Sequence, residues 1–142
     1  MTPRIPNAMQ PEDGVLTGGQ PTRTDFEYAR DAGYKTIINL RAHGEDRVAE
    51  QAKTLPEMGF RYIHFPIDGA ADVTPDNARA FAAVLADAEK PVMIHCGSGN
   101  RVGALAAMKA FHVDRKPAPE ALVIGRAWGL TALEPVVRDR LK

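Results

Sequence analysis

The apolar run Pro91-Val92-Met93-Ile94 leads through His95 into six residues, Cys96-Gly97-Ser98-Gly99-Asn100-Arg101, and these lead straight into a second apolar stretch, Val102-Gly103-Ala104-Leu105-Ala106-Ala107-Met108. The first run has the length of a buried strand and the second that of a helix, so the pattern predicts a strand turning directly into a helix with the chain's only cysteine at the turn. Such a turn points successive backbone N–H groups, and the positive end of the helix dipole, at whatever lies in the loop. An anionic sulfur is stabilised there, and so is an oxyanion beside it. Arg101 adds a planar fork able to hold two oxygens at once. Ser98 is placed to donate to the sulfur or to a leaving thiolate. Gly97 and Gly99 let the backbone bend around a ligand without Cβ collisions.

Strand and helix signals alternate along the rest of the chain. Val15-Leu16-Thr17 reads as a short strand ending at Gly18-Gly19-Gln20-Pro21. Thr24 with Glu27 reads as a capping box opening a helix that runs to about Ala32 and stops at Gly33. Tyr34 to Leu40 is the next strand, followed by the polar loop Arg41-Ala42-His43-Gly44. Glu45 to Glu57 reads as a helix ended near Pro56, and Arg61 to Phe65 as a strand. Thr74 with Pro75 at the first helical position opens a helix whose Phe81, Val84, Leu85 and Ala88 share one face. Two closing helices are expected, over Pro119 to Ala127 and after a capping box at Thr131 and Glu134. Met1 to Asp13, carrying Pro3, Pro6 and Pro11, reads as an irregular arm. The expected fold class is α/β, a mostly parallel central sheet flanked by helices, with residues 1–142 forming one domain.

Composition narrows the function. Lys plus Arg and Asp plus Glu each number 18, so no basic field points to nucleic acid, and attraction for anions must be local. His43, His64 and His112 lack ligand spacing, so no metal is expected, and no motif implies a cofactor. A single cysteine forms no internal disulfide, and no long apolar span suggests a membrane, so a reducing cytoplasmic setting is expected. Nothing in the pattern fixes the oligomeric state.

Together, Leu16-Thr17-Gly18-Gly19-Gln20-Pro21, Ile37-Ile38-Asn39-Leu40-Arg41, Phe65-Pro66-Ile67 and the His95-Cys96 loop with Arg101 resemble the cysteine-dependent protein tyrosine and dual-specificity phosphatases. The likeness is nearest to small bacterial phosphatase-like proteins related to the N-terminal part of beta-lactamase-hydrolase-like proteins. It covers most of the chain, and the glycine loop is its specific part. The resemblance implies a dual-specificity-phosphatase-like sheet with the cysteine at the carboxyl end of a central strand. It also implies phosphomonoester hydrolysis through a phosphocysteine, with a phosphorylated protein or small phosphomonoester as substrate.

In that chemistry Cys96 attacks phosphorus while Arg101 and the amides of Gly97, Ser98, Gly99 and Asn100 hold the equatorial oxygens. An aspartate before the cysteine strand protonates the leaving oxygen. Asp68 and Asp72 are the candidates, and Asp68 is favoured because it directly follows the strand end at Ile67; both also read as ordinary polar loop residues. His95 is read as orienting the loop, compatibly with plain packing. Arg41 reads either as an anion recruiter at the rim or as the partner of Glu45 or Asp46. Asn100 reads as a support of the loop turn, and Trp128 as core.

Cys96 and Arg101 have four residues between them, where the usual phosphatase signature has five. A loop of this length looks like that of the rhodaneses, which carry sulfur as a persulfide. A sulfurtransferase or persulfide carrier is therefore the second reading, and a non-catalytic anion-binding module the third.

Overall fold

In the computed structural model, which describes residues 4–142, five strands form one sheet. The strands are β1 (Met9–Glu12), β2 (Val15–Gly18), β3 (Thr36–Asn39), β4 (Arg61–His64) and β5 (Val92–His95), in the order β1-β2-β5-β3-β4. β2, β5, β3 and β4 run parallel, and β1 is an antiparallel edge. Six helices cover the sheet: α1 (Arg23–Asp31), α2 (Val48–Glu57), α3 (Pro75–Asp87), α4 (Asn100–His112), α5 (Ala118–Trp128) and α6 (Glu134–Arg140). This is the expected α/β class.

Every residue of β2, β3 and β5 is buried, because these strands are covered on both faces. Leu16, Ile37 and Met93 pack with Phe26 and Ala29 of α1 and Leu55 of α2 on one face. Val15, Ile38 and Ile94 pack on the other with Phe81 of α3 and Val102 and Leu105 of α4. Phe81 is wholly buried, and a Phe→Ala change at such a site typically costs about 3–5 kcal/mol. A second apolar layer, including Ala104, Met108, Leu122 and Val137, joins α4, α5 and α6.

Several local expectations need correction. The N-terminal arm is not wholly irregular: Ile5 is buried and β1 pairs with β2, while Met1–Pro3 lie outside the described residues. The α1 capping box is formed by Thr22 and Asp25 rather than Thr24 and Glu27, since Thr22 is the last residue with extended backbone. α2 starts at Val48 rather than Glu45, because Arg47 adopts a left-handed conformation (φ 67°) and delays the helix. Thr131 and Glu134 make no capping box; Glu134 instead pairs with Arg126 and Arg138. Thr74 caps α3 with Pro75 behind it, as expected.

At the carboxyl end of the sheet, Gly18, His95, Asn39 and His64 are successive register partners across β2, β5, β3 and β4. Three of these four carry polar side chains, whereas the row beneath, Thr17, Ile94, Ile38 and Ile63, is mostly apolar, and the change comes just where the strands open into loops. In open parallel sheets that edge is where ligands bind.

Candidate active site

β5 delivers Cys96 to this edge at 1% exposure, and Gly99 (φ 95°) makes the left-handed turn that starts α4. Only glycine adopts that angle at no steric cost. The Gly99 N–H donates to Cys96 Sγ at 3.0 Å. Behind the loop, each carbonyl is engaged: Cys96 O lies 3.3 Å from His95 Nδ1, and Gly97 O accepts from the Gln20 N–H at 3.2 Å. Ser98 O accepts from Asn7 Nδ2 at 2.9 Å, and Gly99 O from the Gly103 N–H at 3.1 Å. Because C=O and N–H of a trans peptide point opposite ways, carbonyls turned back leave amide hydrogens facing the concave side. Such an arrangement, at the N-terminus of a 13-residue helix, is able to hold an anion.

Arg101 sits in the first turn of α4. Its Nη1 donates to Glu45 Oε2 at 2.6 Å and to Ile67 O at 2.9 Å, and its Nη2 donates to Glu45 Oε1 at 2.9 Å. Three of the five guanidinium N–H groups are thus fixed, which orients the planar fork and leaves its Nε side for a ligand. Hydrogen bonding to Glu45 raises the pKa of Arg101, and the adjacent Cys96 raises it further.

The role of Glu45 at Arg101 is not visible in the sequence. Besides binding Arg101, Glu45 accepts from Arg41 Nε at 3.1 Å and from the Ala42 N–H. The Arg101 hydrogen bonds, foremost among these, hold its carboxyl at a pKa of about 2. Arg41 pairs with Glu45, one of its two expected partners, and its Nη1 donates to Gln20 Oε1 at 2.6 Å. The pair is therefore a bracket around the cradle arginine and not an isolated surface contact. The sequence offers Glu45 only as a partner of Arg41; its contact with Arg101, 56 residues away, leaves no local signal.

The remaining candidates separate. His95 is fully buried, and burial lowers its pKa to about 4, so it is neutral at physiological pH. It packs edge-on to Phe26 as well as touching Cys96 O. Asp68 is exposed and follows Ile67, the residue whose carbonyl Arg101 grips. The Asp68 N–H donates to Asp72 Oδ2 at 2.8 Å, so the Asp72 carboxylate holds the loop. Ser98 is exposed at the lip, and the hydrogen bond to sulfur comes from Gly99 rather than from the Ser98 hydroxyl. Asn100 supports the loop differently from expectation: its Oδ1 accepts from the Thr131 and Leu133 N–H groups, both at 3.0 Å, while the unusual backbone angle belongs to Gly99. Trp128 is core. His43 and His64, distant in sequence, meet edge-on at 4.7 Å, but no group of three potential metal ligands occurs among the described residues. None of their helices is long and apolar enough to cross a membrane.

Residues 6–128 match the family model described as a DSP-PTPase phosphatase fused to NAD+ kinase. The chain belongs to this DSP-PTPase family. Curated relatives of this DSP-PTPase domain include the beta-lactamase hydrolase-like protein of Xylella fastidiosa, 34% identical over 120 residues, which are 81% of this chain and 27% of the relative. Another, from Agrobacterium fabrum, is 32% identical over 98 residues, 66% of this chain and 22% of the relative. The domain thus spans about a quarter of the length of the curated relatives it matches. Among solved structures, a candidate phosphatase of Neisseria meningitidis superposes with a TM-score of 0.75 at 27% identity, covering 94% of this chain and 95% of the other. The catalytic core of the PP-IP phosphatase SIW14 from S. cerevisiae superposes with a TM-score of 0.71 at 16% identity, covering 96% and 85%, and shares the fold. The DSP-PTPase fold is thus a phosphatase fold, with Cys96 at its strand-to-helix turn.

Proposed function

We propose that this chain is a phosphomonoester hydrolase that works through a phosphocysteine at Cys96. The observation that carries the reading is the pairing of the Cys96 sulfur, bound by the Gly99 N–H, with an Arg101 fork held beside it by Glu45. The substrate phosphoryl group rests on the loop amides and Arg101 while Cys96 Sγ, as thiolate, attacks phosphorus. The P–S bond forms as the P–O ester bond breaks, and the leaving oxygen takes a proton from Asp68. Arg101 and the amides hold the equatorial oxygens, where charge is concentrated as the bonds exchange. Water then attacks the phosphocysteine, giving its proton to Asp68, and the P–S bond breaks to return the thiolate and release inorganic phosphate. Asp68 is preferred to Asp72 because the Asp72 carboxylate is committed to the Asp68 N–H. A phosphorylated protein or a small phosphomonoester is the substrate class, and no metal or cofactor enters any step.

The four-residue spacing between Cys96 and Arg101 favours a second reading, sulfur transfer through a Cys96 persulfide, which needs no acid at Asp68. Paired assays of reduced protein and Cys96→Ser separate the two. The proposal expects para-nitrophenyl phosphate hydrolysis that vanishes in the variant. Thiosulfate-to-cyanide transfer without phosphate release would favour the persulfide, and silence in both would leave an anion-binding module.

A further inference from the structure

The peptide joining Ser98 to Gly99 is the one in the cradle whose N–H reaches the Cys96 sulfur, at 3.0 Å. Its carbonyl, Ser98 O, accepts a hydrogen bond from the side chain of Asn7, at 2.9 Å and 91 residues away in sequence. The carbonyls on either side, those of Gly97 and Gly99, are held by backbone donors from Gln20 and Gly103. Ser98 O therefore depends on a side-chain donor where its neighbours do not.

This peptide precedes a glycine, so its backbone is able to turn over, although Ser98 also bridges to Gly19. Flipping it requires rotation about the Ser98 Cα–C bond and the Gly99 N–Cα bond, and glycine accepts φ of either sign. A flip would take the N–H off the sulfur and aim a carbonyl oxygen at the place where an anion is to sit. Holding the oxygen behind the loop prevents this, since the two ends of the peptide move together.

Asn7 is well placed to hold it. The residue stands at φ 55°, a left-handed conformation that Asn adopts more readily than most side chains. Just before it, Pro6 O accepts the Gly19 N–H at 2.7 Å, and Ile5 is buried. A Cβ on Gly18 would lie 2.6 Å from Ile5 Cδ1, so this segment is seated directly on the end of β2. Just after Asn7, β1 pairs with β2. The amide of Asn7 is thus anchored on both sides and carried to the back of the cradle.

We infer that Asn7 is a positioning residue that keeps the Ser98–Gly99 peptide turned so that its N–H serves the Cys96 sulfur. The consequence for turnover rests on the phosphatase reading; the consequence for the sulfur does not. Asn7→Gly permits the left-handed backbone and removes the donating side chain. The test measures the rate of Cys96 alkylation by iodoacetamide as a function of pH, alongside para-nitrophenyl phosphate kinetics and thermal unfolding. In Asn7→Gly, alkylation at mildly acidic pH is expected to slow about 3- to 10-fold and its pH profile to move upward, with kcat falling by a similar factor, the range that one lost hydrogen bond produces. Thermal unfolding is expected to change little. Asn7→Asp, which faces the carbonyl with an acceptor, is expected to lose more. An unmoved alkylation profile in both variants would overturn the inference, whatever happens to turnover. Because alkylation needs no phosphorylated substrate, a wild-type protein with no phosphatase activity that still shows the shift would retain this role while removing the phosphatase reading.

Discussion

Glu45 grips both terminal nitrogens of Arg101, Oε2 to Nη1 at 2.6 Å and Oε1 to Nη2 at 2.9 Å, so the cradle arginine is oriented by a carboxylate 56 residues earlier in the chain. Arg101 adds a third fixed contact at Ile67 O. A fork held this way loses little freedom when an oxyanion arrives, and that entropy is a main cost of bidentate recognition.

Removing that orientation is expected to weaken catalysis without removing the nucleophile. Charge-assisted hydrogen bonds contribute about 1.5–3 kcal/mol, so Glu45→Ala should lower kcat/KM for aryl phosphates by about 10- to 100-fold. Glu45→Gln, which preserves shape but not charge, should fall between. Steady-state kinetics with Cys96 alkylation as a control for the thiol check this, and unchanged kcat/KM would reduce Glu45 to a bystander.

The same pair has a pH signature. Glu45 is held at about 2 in the folded protein against an ordinary value of 4.5, so its folded pKa is depressed. Its stabilising contribution is therefore present above about pH 4.5 and lost as pH falls from there towards 2. Urea unfolding should show wild type more stable than Glu45→Gln at pH 7, with the gap closing between pH 4.5 and the acid limit.

His95 acts over a different window. Burial lowers its pKa from 6.5 to about 4, so between those values the unfolded chain binds a proton that the folded chain refuses. Stability from this group is complete above pH 6.5 and falls as pH drops towards 4, by on the order of 2–3 kcal/mol. His95→Asn should unfold with a flatter dependence on pH over that interval. An equal slope in both proteins would mean that His95 is protonated without difficulty in the fold.

Asp68→Asn should discriminate between leaving groups. General acid catalysis is typically worth about 10²- to 10⁴-fold, and a nitrophenolate leaves without it. In kcat/KM, which reports formation of the phosphocysteine, alkyl phosphates should therefore fall by about 100-fold or more and para-nitrophenyl phosphate by less than about tenfold. Equal loss of kcat/KM on both substrates would remove the acid role from Asp68.

Gly19 tests how closely β2 supports the cradle. A Cβ there would stand 2.6 Å from Gly97 O, backbone that cannot swing aside. Gly19→Ala should displace the loop and cost activity well beyond its effect on thermal unfolding, as compared by kcat/KM and calorimetry.

The strand-to-helix turn was legible because a run of buried residues, two glycines and an arginine leave few local alternatives, and Cys96, Gly99 and Arg101 fall where that pattern put them. The parallel sheet was legible from the alternation of its elements. Glu45 and Asn7 were not, because each acts across more than 50 residues of sequence and no local period records such a contact. Helix starts shifted for a similar reason: Arg47 takes a left-handed backbone that its residue type does not announce. Asn100 was placed in the right loop, yet its partners, Thr131 and Leu133, come from a segment that only tertiary packing brings near.

The central proposal is covalent: phosphate passes through the Cys96 sulfur. The most direct measurement is rapid denaturation of the protein during turnover of para-nitrophenyl phosphate, followed by mass spectrometry of the peptide carrying Cys96. The expected result is a phosphate adduct on Cys96, absent from Cys96→Ser and increased by any variant that slows hydrolysis of the intermediate. Phosphate release that continues in Cys96→Ser, with no adduct in the wild-type protein, would contradict it.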